Sequence, residues 1–214
     1  MELTLREELF PNWIVYVLLM TIVLLSVLKS QKELVFSNIK TTFVKPPSSL
    51  PEAKESLSFN SIINFLMLLN YFVVGGIAIY MLLVYYEKSD YWMVVLPAAI
   101  YLFQMLSLLL VIGLSGEFKK VRENILLLNF STHILGIILI PILLIWLLNP
   151  HLSEYMVITL FSAFLLIYFI RLLRGMFLAI RNKVLWYYII LYLCGLEIWP
   201  IVVGYMLLRL DFIG

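Results

Sequence analysis

Long apolar runs separated by short polar segments dominate the chain. A membrane-spanning helix needs about 20 mostly apolar residues to cross about 30 Å of hydrocarbon. Six segments come close to or exceed this length, and they run from Trp13 to Leu28, Ile62 to Tyr86, Tyr91 to Leu114, Ile125 to Leu148, Tyr155 to Ile170 and Val184 to Leu208. The runs are continuously apolar rather than alternating, which is typical of helices and not of a membrane β-barrel. The pattern predicts an all-α integral membrane bundle of six transmembrane helices.

The polar segments between these runs divide the chain. We expect a short outer N-terminal segment over residues 1–12, a first span over 13–28, a cytoplasmic linker over 29–60, a five-span bundle over 61–208 and an outer tail over 209–214. The linker contains Pro46, Pro47 and Pro51, which resist regular structure because proline fixes φ and lacks an amide donor. A flexible connection and a segment that docks a partner both fit this composition.

The distribution of Lys and Arg predicts the orientation, because cytoplasmic loops of membrane proteins carry an excess of basic residues. Of the 15 Lys and Arg residues, five lie between the first and second runs, three follow the third and four follow the fifth. The remaining three, Arg6, Lys88 and Arg209, lie on the opposite side of the expected membrane. With six spans, this distribution places both termini on the non-cytoplasmic side.

The composition agrees with a membrane location. The 214 residues are 64% hydrophobic and 13% charged, whereas soluble domains are about 45–50% apolar and about 25% charged. A net charge of +2 is too small to indicate a nucleic-acid partner. The partners that we expect are membrane lipids, together with other membrane proteins or further copies of the chain. The single cysteine, Cys194, excludes an intramolecular disulfide, and we expect no metal and no cofactor.

One acidic residue, Glu197, lies within a long apolar run, close to its middle. An ionised acid at this depth is unfavourable by about 2.5–3.5 kcal/mol on insertion scales, so it should face the interior of the bundle. Helical rise places Gln104 and His133 in a similar depth band, with Asn129 on the same face as His133. Pro200 frees a main-chain carbonyl close to the carboxyl group. These five residues form a predicted polar centre, which is either an interhelical hydrogen-bond clamp or a proton- or ion-handling site.

Three arginines, Arg171, Arg174 and Arg181, fall on one helical stripe after the fifth apolar run. Apolar residues separate them, which is typical of a helix end that lies in the membrane interface. We expect their guanidinium groups to reach lipid headgroups.

The sixth run also carries a family resemblance. Tyr187–Tyr188, the stretch 190–194, Leu196–Ile198 and Pro200 resemble domain-of-unknown-function family 4271, a group of bacterial inner-membrane proteins, and the segment Arg171–Arg181 fits it too. The resemblance implies a multi-pass protein of the bacterial cytoplasmic membrane and assigns no activity. It also places two members of the predicted polar centre within the family's motif.

The sequence favours a non-enzymatic subunit or assembly factor of an envelope membrane complex, because the outer loops are short and no catalytic constellation stands out. A small proton-coupled secondary transporter that uses Glu197 as its proton site is the alternative. An intramembrane enzyme is a remote alternative. The stretch 113–116 matches the Gly-x-Ser-Gly pattern of rhomboid proteases, but Ser115 lies far in depth from His133, where a base would be needed.

Overall fold

The computed structural model describes residues 10–31, 62–115 and 118–181. In these ranges the chain forms five long helices, which are α1 (Trp13–Gln31), α2 (Ile62–Tyr85), α3 (Leu96–Ser115), α4 (Phe118–Leu148) and α5 (Ser153–Arg181). Two short 3₁₀ helices, Tyr91–Val95 and Pro150–Leu152, precede α3 and α5. These ranges contain no strand, which confirms the predicted all-α class for the described part of the chain.

All five helices are long and apolar enough to cross a membrane, and they correspond to the first five predicted spans. The sixth predicted span, 184–208, lies outside the described residues. The number of six spans and the position of the termini therefore remain predictions.

Helix ends extend beyond several of the apolar runs. α4 begins at Phe118 rather than Ile125, and α5 continues from the fifth run to Arg181. The thickness of the hydrocarbon core determines how many residues of a span must be apolar, but it does not determine where the helix ends. Lys, Arg and Glu are good helix formers, so the backbone continues its hydrogen bonds into the polar flanks.

A tight turn joins α2 to the 3₁₀ helix before α3. Glu87 has a φ of 55°, and its amide donates to the Val84 carbonyl at 3.2 Å, while the Lys88 amide donates to the Leu83 carbonyl at 2.8 Å. This pair of bonds around one left-handed residue is a Schellman motif, which satisfies carbonyls at the end of a helix. The turn makes α2 and α3 a helical hairpin.

α2 and α4 form the centre of the described bundle. In the apolar stretches of α2 and α4, 56% and 50% of the residues are buried. The corresponding share is 22% in each of α1, α3 and α5. The α2 and α4 side chains Val74, Met81, Leu128 and Leu143 are inaccessible or nearly so. The outward faces of α1, α3 and α5 expose large apolar side chains, as expected for surfaces in contact with lipid.

Two glycines bring α2 close to the start of α3. A Cβ on Gly75 would lie 3.1 Å from the Pro97 ring, and a Cβ on Gly76 would lie 3.2 Å from the Val94 carbonyl oxygen. Small residues of this kind allow membrane helices to pack with their backbones close together. At these two glycines α2 therefore packs directly against the residues that begin the second half of the hairpin.

Candidate polar centre

Several polar side chains are buried inside the described bundle. They include Asn70, Gln104, Asn129, Ser131, Thr132, His133 and Arg171. A buried polar group inside a membrane protein is costly unless it is hydrogen-bonded or in contact with water. The hydrogen-bond partners of these side chains therefore indicate whether they hold helices together or line a polar site.

Arg171 on α5 is buried, with 5% of its surface exposed. Its Nη1 donates to Oε1 of Gln104 on α3 at 3.0 Å. Its guanidinium carbon lies 6.0 Å from the centre of the Tyr168 ring, within the range of a cation–π interaction. The hydrogen bond ties α5 to α3 and places a positive charge inside the bundle.

A cavity of about 40 Å³ adjoins the Arg171–Gln104 pair. Its walls come from four helices, and its polar lining residues are Tyr71, Gln104, Ser131, Thr132, Tyr168 and Arg171. A volume of this size holds roughly two or three water molecules. It is far below the roughly 300–1,000 Å³ of sites that enclose small organic ligands.

The hydroxyl groups of α4 that line the cavity donate to their own helix. Ser131 Oγ lies 2.8 Å from the Leu127 and Leu128 carbonyl oxygens, and Thr132 Oγ1 lies 2.8 Å from the Asn129 carbonyl oxygen. Each hydroxyl has one proton, so this back-bonding leaves its oxygen lone pairs for the cavity. These hydroxyl groups can therefore accept a hydrogen bond from a water molecule in the cavity.

A second interhelical bond lies beside the first. The Tyr101 hydroxyl on α3 donates to Oδ1 of Asn129 on α4 at 2.8 Å, and both groups are buried. Together with the Arg171–Gln104 bond, it links three consecutive helices through side chains.

His133 lies on a different side of α4, against α2, and Asn70 lies on the face of α2 that packs against α4. His133 is 2% exposed, packs edge-on to Phe130 with 6.5 Å between ring centres, and faces the main chain of Asn64. Asn70 packs against Gly136. Within the described ranges, neither ring nitrogen of His133 and neither amide atom of Asn70 has a hydrogen bond of standard geometry. Buried groups of this kind are uncommon, and water or function often explains them.

The structure places the three described residues of the predicted site in separate environments. Gln104 meets Arg171 at the cavity and Asn129 meets Tyr101. Neither Asn129 nor His133 is among the residues that line the cavity. Glu197 and Pro200 lie outside the described residues. The single centre that unites all five residues therefore remains a prediction.

Arg171, which we expected to reach a lipid headgroup, is buried and donates a hydrogen bond to Gln104. Side chains on a helix lean toward its N-terminus, so the long Arg171 side chain can reach back along α5 to Gln104. Arg174 is partly exposed, and Arg181 is the last residue of α5. Headgroup binding by all three arginines remains a prediction.

The sequence reasoning missed the tyrosines Tyr71, Tyr101 and Tyr168. A buried tyrosine usually finds a partner for its hydroxyl group. Tyr71 and Tyr101 lie inside apolar runs rather than at their ends. Tyrosines in the middle of an apolar run, away from the membrane interface, could therefore have been predicted to be residues of the polar interior.

Comparison with known proteins identifies a family. A family model described as Domain of unknown function (DUF4271) matches residues 14–208. No curated protein and no solved structure matches the chain. The match covers nearly the whole chain, from the start of α1 through the stretch 187–200 whose residues carry the resemblance, so the chain belongs to the DUF4271 family.

Proposed function

We propose that the protein is a non-enzymatic subunit or assembly factor of a membrane complex in the bacterial envelope. The observation that carries the proposal is that buried polar side chains of the described bundle form hydrogen bonds between helices. Arg171 and Tyr101 are both engaged in hydrogen bonds between helices. Bonds of this kind fix the relative position of spans, which is what a scaffold inside a complex requires.

The shape of the described bundle supports a structural role. The cavity beside Arg171 is too small for an organic substrate. The connections 86–90 and 149–152 are too short to form a soluble domain. Among the described residues, the large exposed surface is the apolar outer face of α1, α3 and α5, where Met20 and Leu110 are 77% and 63% exposed. A partner that binds the described bundle would therefore meet it within the membrane.

A small proton-coupled transporter is the second candidate. The buried His133 favours it, because ionisable residues inside a membrane often lie on proton or ion pathways. The alternative would use Glu197 as the proton site. A transporter of this kind requires a continuous chain of water molecules and polar side chains through the bundle, to which Asn70 and His133 would contribute.

Native mass spectrometry after gentle extraction from the natural membrane tests the proposal. We expect a defined assembly heavier than the 25.0 kDa chain, with at least one other membrane protein in fixed stoichiometry. An equally expressed, equally tagged protein of similar span number is the control for nonspecific capture. A 25.0 kDa monomer that also yields no crosslinked partner in the intact membrane would contradict the proposal. Proton uptake by liposomes that contain the purified chain would favour the transporter.

A further inference from the structure

We propose that one water molecule is bound between Asn70 on α2 and His133 on α4, where it links the two central helices of the described bundle. The site is separate from the cavity beside Arg171, because neither residue lines that cavity. The proposal concerns the interior of a single chain and does not depend on the proposed function. A dry contact between the two helices and a direct bond between the two side chains are the outcomes that would oppose it.

The first argument is that both side chains are polar and buried. Asn70 is 1% exposed and His133 is 2% exposed. Among the described residues, none forms a hydrogen bond of standard geometry with the Asn70 amide group or with the His133 ring nitrogens. An unsatisfied polar group is strongly unfavourable inside a protein, and native structures usually satisfy it with another protein group or with ordered water. Two such groups on facing helices therefore indicate a common polar partner.

The contacts between α2 and α4 place the two residues at nearly the same level. Asn70 packs against Gly136, and further along both helices the Tyr85 and Trp146 rings lie 6.1 Å apart. Residue numbers therefore rise in the same direction along α2 and α4, so the two helices are parallel. His133 precedes Gly136 by three residues, which is less than one helical turn.

This register leaves a gap that suits a water molecule. Asn70 Nδ2 lies 3.1 Å from the position of a Cβ on Gly136, and Cβ atoms three residues apart on a helix face are about 5–6 Å apart. Side chains on parallel helices lean toward the same end, so Asn70 leans toward the level of His133. Two hydrogen bonds through one water molecule join polar atoms roughly 4.5–5.5 Å apart. The two side chains are therefore close enough to share one water molecule.

The side chains beside the pair are apolar. Leu28 of α1, Met67 of α2 and Phe130 of α4 form a small buried cluster. Asn70 follows Met67 by three positions, and His133 follows Phe130 by three, with 6.5 Å between the His133 and Phe130 ring centres. Residues three apart share a helix face, so both polar side chains lie on the faces that carry the cluster. The cluster offers them no strong donor or acceptor, and water is small enough to supply both.

Water also matches the donors and acceptors of the pair. The Asn70 amide carries two N–H donors and one acceptor oxygen, and a neutral His133 ring carries one donor and one acceptor nitrogen. The two ring nitrogens point in divergent directions, so the Asn64 main chain that the ring faces can meet only one of them. A buried water molecule typically makes about three hydrogen bonds to such groups. It can bond to both groups of the Asn70 amide and to the second His133 nitrogen.

Hydroxyl-radical labelling of the full chain in mild detergent tests the site. Pulsed X-rays convert bound water into hydroxyl radicals, which oxidise the side chains beside it, and methionine becomes the sulfoxide. Met67 is 1% exposed and belongs to the cluster beside the pair, whereas Met81 on the same helix is inaccessible and belongs to the larger apolar cluster. We expect Met67 to be oxidised several times faster than Met81. Equally slow oxidation of both methionines would overturn the proposal.

The double variant Asn70→Leu with His133→Leu provides the matched control. It removes the polar atoms and leaves apolar side chains of similar size. Met67 oxidation should then fall to the rate of Met81, and an unchanged Met67 rate would overturn the proposal. If the double variant does not accumulate, the comparison of the two methionines in the wild-type chain decides alone.

The midpoint of thermal unfolding tests whether the two side chains share a partner. Asn70→Leu or His133→Leu alone leaves the other polar group buried and should lower the midpoint by roughly 2–12 °C. The double variant should lose less than the sum of the two, because no unsatisfied group remains. Thr159→Val is the uncoupled control, since the exposed Thr159 hydroxyl bonds to the Tyr155 carbonyl of its own helix, and its effect should add to that of Asn70→Leu.

Two results of this cycle overturn the proposal. Additive losses for Asn70→Leu and His133→Leu would mean that the two side chains do not share a partner. Coupled losses, with Met67 oxidised no faster than Met81, would assign the pair to a direct hydrogen bond without water.

Discussion

Gly136→Leu should prevent the protein from accumulating in the membrane or lower its unfolding midpoint by more than roughly 10 °C. A Cβ on Gly136 would lie 3.0 Å from the Cα and 3.2 Å from the Cβ of Tyr71. The Cα belongs to the α2 backbone and cannot rotate aside. A larger side chain must therefore separate α2 from α4, the two helices at the centre of the described bundle. Thermal unfolding followed by tryptophan fluorescence in detergent measures the effect.

Gly113 provides the matched control for this substitution. A Cβ there would meet nothing within 4 Å, and both glycines lie inside long helices. Replacement of either glycine by alanine brings the same gain in helix propensity, about 1 kcal/mol. We expect Gly113→Ala and Gly113→Leu to keep or raise the midpoint and Gly136→Ala to lower it. Equal midpoints for Gly136→Leu and Gly113→Leu would show that α2 and α4 do not pack closely at this glycine.

Gln104→Leu should lower the unfolding midpoint by roughly 3–12 °C. The substitution removes the acceptor 3.0 Å from the Arg171 guanidinium. A hydrogen bond to a charged group contributes about 1.5–3 kcal/mol, and each 1 kcal/mol shifts the midpoint by about 2–4 °C for a chain of this size. Gln104→Glu keeps an acceptor oxygen in place and should retain most of the stability. Thermal unfolding in the same detergent compares these variants.

Ser107→Leu is the control for Gln104→Leu. It also replaces a polar side chain of α3 by leucine, but the Ser107 hydroxyl bonds to the Phe103 carbonyl of its own helix. Ser107 is half-buried, and its neighbours Leu106 and Leu110 on α3 are exposed apolar side chains, so little change is expected from a leucine there. If both leucine variants unfold at the same temperature, the Arg171–Gln104 bond does not stabilise the bundle.

The helices of the described bundle could be predicted because one physical rule determines them. Each apolar run near the length of the hydrocarbon must satisfy its own backbone hydrogen bonds, and a helix does so. The ends were less predictable. Lys119, Lys120 and Arg122 lie within α4, although their polarity suggested a loop, because charged residues of high helix propensity extend a helix beyond the membrane.

Two residues of the candidate site, Gln104 and Asn129, could be predicted to face inward, but their partners could not. Polarity within an apolar run indicated that Gln104 and Asn129 face inward, and both are buried. Sequence gives depth through helical rise, but it does not say which helices are neighbours. The partners Arg171 and Tyr101 depend on that lateral arrangement. Gly136 shows the same limit, since nothing in the sequence marks the Tyr71 backbone as its neighbour.

The environment of Arg171 illustrates why a charged residue near the end of a span is difficult to place. An arginine side chain is long enough to reach outward to a headgroup or inward to another helix. The choice depends on the polar partners within reach. In the described structure, α3 offers Gln104 and α5 itself offers Tyr168.

Cysteine accessibility most directly tests the claim that the chain crosses the membrane with its basic loops on the cytoplasmic side. In a Cys194→Ser background, Ser89→Cys should react with a membrane-impermeant maleimide in spheroplasts, because position 89 lies in the connection between α2 and α3. Glu117→Cys should react only after permeabilisation, and Gln104→Cys, which is 3% exposed as glutamine, should resist labelling in both conditions. Labelling of position 117 in intact spheroplasts, with position 89 protected, would contradict the orientation.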